Sequence, residues 1–227
     1  FDIEIDRINQ PGRPLPSGQI SISHAKILTA LLGITGLIIS LFSQNIWHLI
    51  NASLNLFLLI LYAVRFKKSG LPGNLIVSWS AASVFLYGAF SGSHIAKVLP
   101  IMCFAFLYTL IREWTKTIED YEGDLAENAK TIAIMIGKKK TVHLLLVPLS
   151  LIIAGIFLFY FTKLTGASEF ILLNLLVVIP LIFFYLVLKR SQHRDIVRII
   201  HKLMKADMLV LLLIFLLSFL LRAGGIL

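Results

Sequence analysis

Seven long apolar runs, separated by short charged or polar loops, dominate this sequence of 227 residues. About 20 apolar residues suffice to cross a bilayer as a helix, which satisfies its own backbone hydrogen bonds there. None of the runs alternates as barrel strands do. The sequence therefore predicts an all-α fold, a multi-span transmembrane helical bundle, forming a single integral membrane domain over residues 1–227. The runs are approximately Lys26–Ser43, Ile46–Val64, Asn74–Phe90, Ala96–Ile111, Val142–Phe161, Phe170–Leu188 and Asp207–Leu221.

The composition excludes a soluble globular protein. Hydrophobic residues make up 58% of the chain, charged residues only 15%, and the mean hydropathy is +0.88, whereas soluble domains are roughly half apolar and about a quarter charged. The single cysteine, Cys103, excludes an internal disulfide framework. The first residue is Phe rather than Met, so we expect the natural N-terminus to lie upstream of it.

The charged residues divide unequally between the two membrane faces that alternating loops define. Of the 21 Lys and Arg residues, 18 fall on one face, and 11 of the 12 Asp and Glu residues fall on the same face. Short loops rich in Lys and Arg stay in the cytoplasm, so this face of a cell-membrane protein is predicted to be cytoplasmic. That rule concerns Lys and Arg and does not require Asp or Glu residues on the same face. Their accumulation therefore predicts a functional site at this face, rather than a basic surface for nucleic acid.

Two acidic segments on that face repeat one spacing. Asp2 and Asp6, and likewise Asp120 and Asp124, are four residues apart, which on a helix brings both carboxylates within reach of one divalent cation. One such pair is more often a solvated loop or a helix cap. Two pairs with basic neighbours indicate a cage for Mg²⁺, which leaves coordination positions for phosphate oxygens. The helical stripe of the second segment comprises Glu113, Thr117, Asp120 and Asp124.

Basic and aromatic residues accompany both acidic segments. Three prolines between residues 11 and 16 stiffen the loop that presents Arg13. Tyr62, Lys67 and Lys68 lie between the two segments on the same face, where they could bind a diphosphate or act as interfacial, topology-setting residues. Residues 138–140, three consecutive lysines, are interpreted as a topology signal or an anionic-lipid contact, since no acidic or aromatic residue lies beside them in the sequence.

In their order and residue identities, these motifs resemble those of the UbiA superfamily of intramembrane prenyltransferases. The resemblance covers nearly the whole chain and implies nine helices in the full fold, of which about two would precede this sequence. The matching elements are the Asp2-xxx-Asp6…Arg13-Pro14-Leu15-Pro16-Ser17-Gly18 opening, the Tyr62…Lys67-Lys68…Gly73-Asn74 loop and the Asp120-Tyr121-Glu122-Gly123-Asp124…Ala129-Lys130-Thr131 segment.

The resemblance implies roles for these residues. The four paired aspartates would be catalytic and would hold Mg²⁺, and a set of basic and aromatic side chains would bind the diphosphate of a prenyl donor. Many family members have Asp where this chain has Thr117, and the Asn-Asp pair that the family carries just before Asp2 lies beyond the start of the sequence. The predicted diphosphate-binding residues are Arg13, Tyr62, Lys67, Lys68, Lys116 and Lys130.

The segments 67–74 and 122–131 most resemble those of archaeal members that transfer a geranylgeranyl group to geranylgeranylglyceryl phosphate in ether-lipid synthesis. Members that prenylate an aromatic acceptor of the 4-hydroxybenzoate, homogentisate or chlorophyllide type share much of the pattern, so an aromatic acceptor stays open as the alternative. Either reaction releases diphosphate, and it needs an apolar groove for the prenyl tail, because water would quench the allylic cation. The oligomeric state stays open, and membrane lipids are the surrounding partners.

A transporter is the alternative outside enzymes. The predicted spans contain almost no ionisable residue, which disfavours an ion or proton relay. Small polar residues within them could line a path, although they more often join packed helices. These residues are Asn51, Asn55, Ser78, Ser80 and Asn174.

Overall fold

The computed structural model describes residues 3, 7, 11–92, 95–163 and 166–223, without the side chains of residues 96, 97, 169 and 214–223. Within this part every regular element is a helix, and one isolated bridge joins Ser69 to Lys130. The helices are α1 (Ile22–Phe42), α2 (Ile46–Leu61) with the π-helical turn Tyr62–Phe66, α3 (Leu71–Gly92), α4 (Ile95–Glu119), α5 (Tyr121–Ala126), α6 (Ile132–Ile136), α7 (Lys138–Leu144), α8 (Leu146–Phe161), α9 (Ala167–Leu173) with the π-helical turn Asn174–Val178, α10 (Ile179–Arg190) and α11 (Arg194–Ala223).

Six helical segments of the described chain are long and apolar enough to cross a membrane. They coincide with the first six predicted runs, so the predicted all-α, multi-span fold is confirmed. The seventh predicted run, Asp207–Leu221, falls within α11, which is helical throughout, although its side chains beyond residue 213 lie outside the description. The six segments are Ile22–Phe42, Ile46–Phe66, Leu71–Gly92, Val98–Glu119, Lys138–Phe161 and Phe170–Arg190.

Helix α4 is the central helix of the bundle and packs against α3, α8 and α11. The tightest part of the core forms around its second half, where Ile118 of α4, Ile152 of α8 and Leu188 of α10 are fully buried. Within a bilayer such contacts stabilise the fold through close packing, because lipid tails are as apolar as the side chains themselves. The end of α4 is thereby held on several sides.

Small polar side chains link the spans. Asn51 of α2 donates from Nδ2 to the Ser83 carbonyl oxygen of α3 at 3.0 Å, and the Ser83 hydroxyl donates to Asn55 Oδ1 at 3.0 Å. Ser78 and Asn174 each donate to the carbonyl four residues earlier in their own helix. Four of the five residues that could have lined a transport path are therefore used within or between helices.

The π-helical turn Asn174–Val178 comes just before Pro180, the second residue of α10. Proline has no amide hydrogen, and its ring clashes with the carbonyl four residues earlier in a regular α-helix. The wider π turn accommodates that carbonyl without ending the span.

Candidate active site

Tyr62 and Lys67 lie on the same side of the helical end that finishes the second span. The Lys67 amide donates to the Tyr62 carbonyl oxygen at 2.8 Å, which is the five-residue hydrogen bond of a π turn. Residues five apart diverge around an α-helix but stand nearly one above the other in a π turn. The turn therefore aims both side chains at one cavity, which both of them line.

Two glycines allow the connection between α2 and α3 to pack closely. A Cβ atom on Gly73 would lie 2.4 Å from the carbonyl oxygen of Phe66, and one on Gly70 would lie 2.9 Å from that of Lys130. The Lys130 amide in turn donates to the Lys68 carbonyl oxygen at 2.7 Å. Segment 67–70 is thus held between the start of α3 and segment 129–131, a long-range contact that brings two of the sequence motifs together.

The predicted helical stripe of the second acidic segment is present. Although α4 ends at Glu119 and α5 begins at Tyr121, the amide of Asp120 donates to the Lys116 carbonyl at 2.9 Å and that of Asp124 to the Asp120 carbonyl at 3.0 Å. The helical period therefore continues through the junction. As a result, Glu113, Thr117, Asp120 and Asp124 all line the same cavity as the end of α2.

A polar cavity of about 60 Å³ lies where these elements meet. It collects seven of the described residues that the sequence predicts for the site. Lys130 does not line it, and its side chain borders a neighbouring cleft instead. Asp2 and Asp6 lie outside the described residues, so the first aspartate pair stays a prediction. The seven residues are Arg13, Tyr62, Lys67, Lys68, Lys116, Asp120 and Asp124.

Arg13 reaches this cavity from a compact loop that precedes α1. Ser17 donates its amide to the Arg13 carbonyl at 3.0 Å, and the Ile20 amide donates to the Pro14 carbonyl at 3.1 Å. Gly18 has a φ of 77°, a conformation that glycine adopts without strain. The loop is consistent with the predicted presentation of Arg13 beside the acidic stripe.

Burial and mixed charges perturb the ionisable groups of the cavity. Burial raises the pKa of Asp124 to about 6, and the neighbouring Thr131 hydroxyl opposes that shift. Burial also raises the pKa of Asp120, against the charge of nearby Lys116. Burial and the Lys116 ammonium lower the pKa of Lys67 to about 8. Groups whose charged forms are destabilised in this way gain most from a ligand of opposite charge.

The oxygen atoms of this cavity fit a hard divalent cation. Two buried or partly buried carboxylates, Asp120 and Asp124, lie one helical turn apart. Asn74 is 8% exposed, and its Oδ1 has no hydrogen-bond partner among the described residues. The Thr117 hydroxyl donates to the Trp114 carbonyl at 2.8 Å, so its lone pairs stay available. Mg²⁺ prefers such oxygen ligands. Among the described residues, no three His, Cys, Asp or Glu side chains lie close enough together to hold one metal ion, so further ligands would come from substrate or from outside this part.

The sequence predicted no role for three buried residues near the site. Asn74 and Thr131 were visible within the matching motifs, but nothing in the sequence indicates that they line the cavity. His201 gives no local signal at all, because its partner Glu119 lies 82 residues earlier in the chain. Its contribution depends on the packing of α11 against α4.

Glu119, which ends α4 directly before Asp120, is held by two residues of α11. His201 Nδ1 lies 2.6 Å from Glu119 Oε2, and Arg198 Nε donates to Oε1 at 3.4 Å. Glu119 and His201 are each 4% exposed. The contact fixes the end of α4 relative to α11.

The structure corrects the interpretation of Lys138, the first residue of the lysine run 138–140. Lys138 Nζ lies 2.8 Å from the Glu122 carboxylate and 4.4 Å from the centre of the Tyr121 ring. Its acidic and aromatic partners come from α5 rather than from neighbouring sequence. Lys138 therefore ties α7 to the helix that carries Asp124.

An apolar cavity of about 350 Å³ lies deeper in the bundle, along the same face of α4. Tyr108 and Thr109 of α4 line it about one helical turn below Glu113 of the polar cavity. The other walls come from α3, α8, α9 with its π turn and α11. A polar, charged cavity at the membrane surface and an apolar one within the span therefore lie one after the other along the same face of α4.

The chemistry of the two cavities is suited to an amphipathic ligand with an anionic head and an apolar tail. The chain belongs to the UbiA prenyltransferase family, which matches residues 1–209. The resemblance found in the sequence motifs is thereby confirmed.

Two curated relatives bear the name digeranylgeranylglyceryl phosphate synthase. The protein from Sulfurisphaera tokodaii is 42% identical over 164 residues, which cover 71% of this chain and 59% of the relative. The protein from Methanocaldococcus jannaschii is 37% identical over 216 residues, which cover 95% of this chain and 75% of the relative. This chain spans between about half and three quarters of the length of the curated relatives it matches.

A solved structure from work on digeranylgeranylglyceryl phosphate synthase in membranes has the same fold. It matches with a TM-score of 0.72 at 36% sequence identity, covering 95% of this chain and 76% of that chain. The helical architecture described above is therefore that of the family.

Proposed function

We propose that this protein transfers a geranylgeranyl group from its diphosphate to a hydroxyl of geranylgeranylglyceryl phosphate and releases diphosphate, a step of ether-lipid synthesis. The observation that carries the proposal is the placement of a charged cavity and an apolar cavity one after the other along the same face of α4. A prenyl diphosphate has the same two parts in the same order. Membership of the family and the names of the similar relatives support prenyl transfer.

The basic residues of the polar cavity are suited to the diphosphate. Arg13 can form charge-assisted, bidentate hydrogen bonds with phosphate oxygens. Lys67, just after the π-helical turn, and Lys116 of α4 supply point charges. Tyr62 can donate from its hydroxyl to the same group. Because these donors are partly buried, their attraction to the developing charge of the leaving group is screened less than it would be in water.

Asp120 and Asp124 would hold Mg²⁺, and the predicted pair Asp2 and Asp6 would face them from the N-terminal segment. When bound, Mg²⁺ would neutralise charge on the departing diphosphate. The protein's own part is to keep the two described carboxylates on one helical face and partly shielded from water, which the continuous hydrogen bonds at the α4–α5 junction achieve.

The reaction breaks the bond between C1 of the prenyl chain and the diphosphate oxygen, which leaves with the electron pair. A hydroxyl oxygen of the acceptor forms the new bond to C1 and loses its proton. Glu113 is suited to accept that proton, because it lines the cavity, is 6% exposed and is held in place by its ion pair with Arg112. The apolar cavity excludes water from the allylic carbon, so that water does not replace the acceptor.

The charge distribution supports a position of these loops on the cytoplasmic side of the cell membrane. The donor and acceptor would both come from that leaflet, as amphiphiles whose phosphate groups lie at the depth of the polar cavity.

The acceptor is tested directly with purified protein in lipid nanodiscs. Labelled geranylgeranyl diphosphate and Mg²⁺ are supplied with geranylgeranylglyceryl phosphate, 4-hydroxybenzoate or homogentisate in separate reactions. We expect labelled product with the lipid phosphate. Product with an aromatic acceptor only would overturn the assigned acceptor and leave prenyl transfer intact.

A further inference from the structure

A second cleft lies beside the polar cavity, on the other side of the contact between segments 68–70 and 130. It has a volume of about 460 Å³ and is bordered by Arg65 and Lys130 above an apolar floor. Leu71, Ile132 and Met135 form that floor. The transfer reaction proposed above makes no use of this cleft.

The described part of the protein supplies no acidic partner for the two cations at the rim of the cleft. The structure gives neither Arg65 nor Lys130 an ion pair with a carboxylate in the described part of the chain, and both side chains are exposed. Lys68, the third cation at the cleft, is already paired with Glu127 at 3.0 Å. Among the described residues, the positive charge of Arg65 and Lys130 is therefore uncompensated, and it complements an anionic group.

The position of the cleft favours a lipid over a soluble anion as its ligand. Arg65 lies in the last turn of one spanning segment, and Leu71 is the first residue of the next, so the cleft opens at the boundary between the apolar and polar regions of the bilayer. Leu71 is 45% exposed and Met135 is 64% exposed. A soluble phosphate would leave this apolar floor bare, whereas the chains of a lipid would cover it.

We propose that this cleft binds the phosphate head of an anionic membrane lipid, with Arg65 and Lys130 as its phosphate ligands. Basic pockets between spanning helices on the cytoplasmic side are suited to such head groups. The bound lipid also braces the diphosphate loop, because the Lys130 amide donates to the Lys68 carbonyl at 2.7 Å and Ser69 forms a bridge with Lys130. Lipid binding therefore holds segment 67–70, which carries Lys67, against segment 129–131.

The test measures lipid binding by the delipidated, purified protein with no prenyl donor present. Titration with dioleoyl phosphatidic acid is followed by native mass spectrometry, with dioleoyl phosphatidylcholine and inorganic phosphate as separate probes. We expect one phosphatidic acid per chain, and we expect the double variant Arg65→Gln/Lys130→Gln to bind it about 10–30-fold more weakly. Inorganic phosphate at millimolar concentration should leave lipid binding unchanged.

The matched control is Lys189→Gln/Arg190→Gln, which removes one exposed lysine and one exposed arginine of the same face that do not border the cleft. This variant should bind phosphatidic acid as the unmodified protein does. The single charge reversal Lys130→Glu should weaken binding further than Lys130→Gln, and an unchanged unfolding midpoint identifies folded samples. Equal lipid binding by all variants, or binding of inorganic phosphate in place of lipid, would overturn the proposal.

Discussion

His201 Nδ1 lies 2.6 Å from Oε2 of Glu119, and the two side chains are among the most buried ionisable groups in the described part of the protein. Glu119 accepts this hydrogen bond at the end of α4, directly before Asp120. Because His201 belongs to α11, one contact joins this last helix to the end of α4, directly before the aspartate pair. The position of that pair therefore depends on two segments that are distant in sequence.

Replacing His201 with Ala should lower the free energy of unfolding by about 3–5 kcal/mol, because it leaves the buried Glu119 carboxylate with only the longer Arg198 contact. Chemical unfolding in detergent micelles measures this change. His193→Ala is the control, since His193 is exposed and its removal should cost no more than about 0.5 kcal/mol. In the double variant with Glu119→Gln the two costs should be less than additive, and full additivity would contradict direct coupling.

Gly73→Ala should lower stability by about 1–3 kcal/mol and reduce turnover, because its Cβ would lie 2.4 Å from the Phe66 carbonyl oxygen. The clash can be relieved by moving α3 away from the turn that positions Lys67. Gly88 lies on the same helix with no atom within 4 Å of an added Cβ. Gly88→Ala should therefore be neutral or stabilising by about 0.5–1 kcal/mol. Thermal unfolding and kcat/KM are compared, and equivalent behaviour of the two variants would contradict the close-packing argument.

Donor binding should weaken as the pH rises through about 8. Burial and the Lys116 charge lower the pKa of Lys67 to about 8, so above that pH the free protein holds a neutral amine where the diphosphate needs a cation. If the ammonium form binds, affinity falls by up to about tenfold for each pH unit above the pKa. KM for the donor is measured between pH 7 and 9 at saturating Mg²⁺. Lys67→Arg keeps its charge throughout and should lose this step; an identical profile for both proteins would refute the role of Lys67.

A larger side chain in the apolar cavity should raise KM for a donor with a long prenyl chain more than KM for one with a short chain. Ala105 lines it, and Ala105→Phe should raise KM for geranylgeranyl diphosphate by about tenfold or more. KM for dimethylallyl diphosphate, whose chain is short, should change little. Leu158→Phe is the control, because it introduces the same side chain on the exposed surface of α8. The same increase for both donors would show that the long chain does not occupy this cavity.

Hydropathy and helical period were sufficient to predict the spans and the acidic stripe. Lipid demands long apolar helices, which leave an unmistakable pattern. The stripe from Glu113 to Asp124 was predictable because hydrogen bonds continue through the junction at Asp120, so that the local period holds over the whole segment.

What could not be predicted depends on contacts between distant segments. The partners of Lys138 lie in α5, and that of His201 lies in α4. Lys130 belongs to a motif with polar neighbours, yet its amide is used against Lys68 and its side chain borders the second cleft. The spacing of residues along one helix does not indicate which of two neighbouring cavities a loop residue borders.

We propose that the polar cavity and the apolar cavity beneath it together carry out prenyl transfer, with the help of Asp120, Asp124 and Mg²⁺. The most direct measurement is simultaneous counting of diphosphate and labelled lipid product from geranylgeranyl diphosphate and geranylgeranylglyceryl phosphate. The comparison includes Asp120→Asn, Asp124→Asn and the exposed control Asp195→Asn. We predict equal amounts of both products with Mg²⁺, no turnover with EDTA, and a loss of at least about 100-fold in the first two variants but not in the control. Near-normal transfer without metal, or in Asp120→Asn and Asp124→Asn, would contradict it.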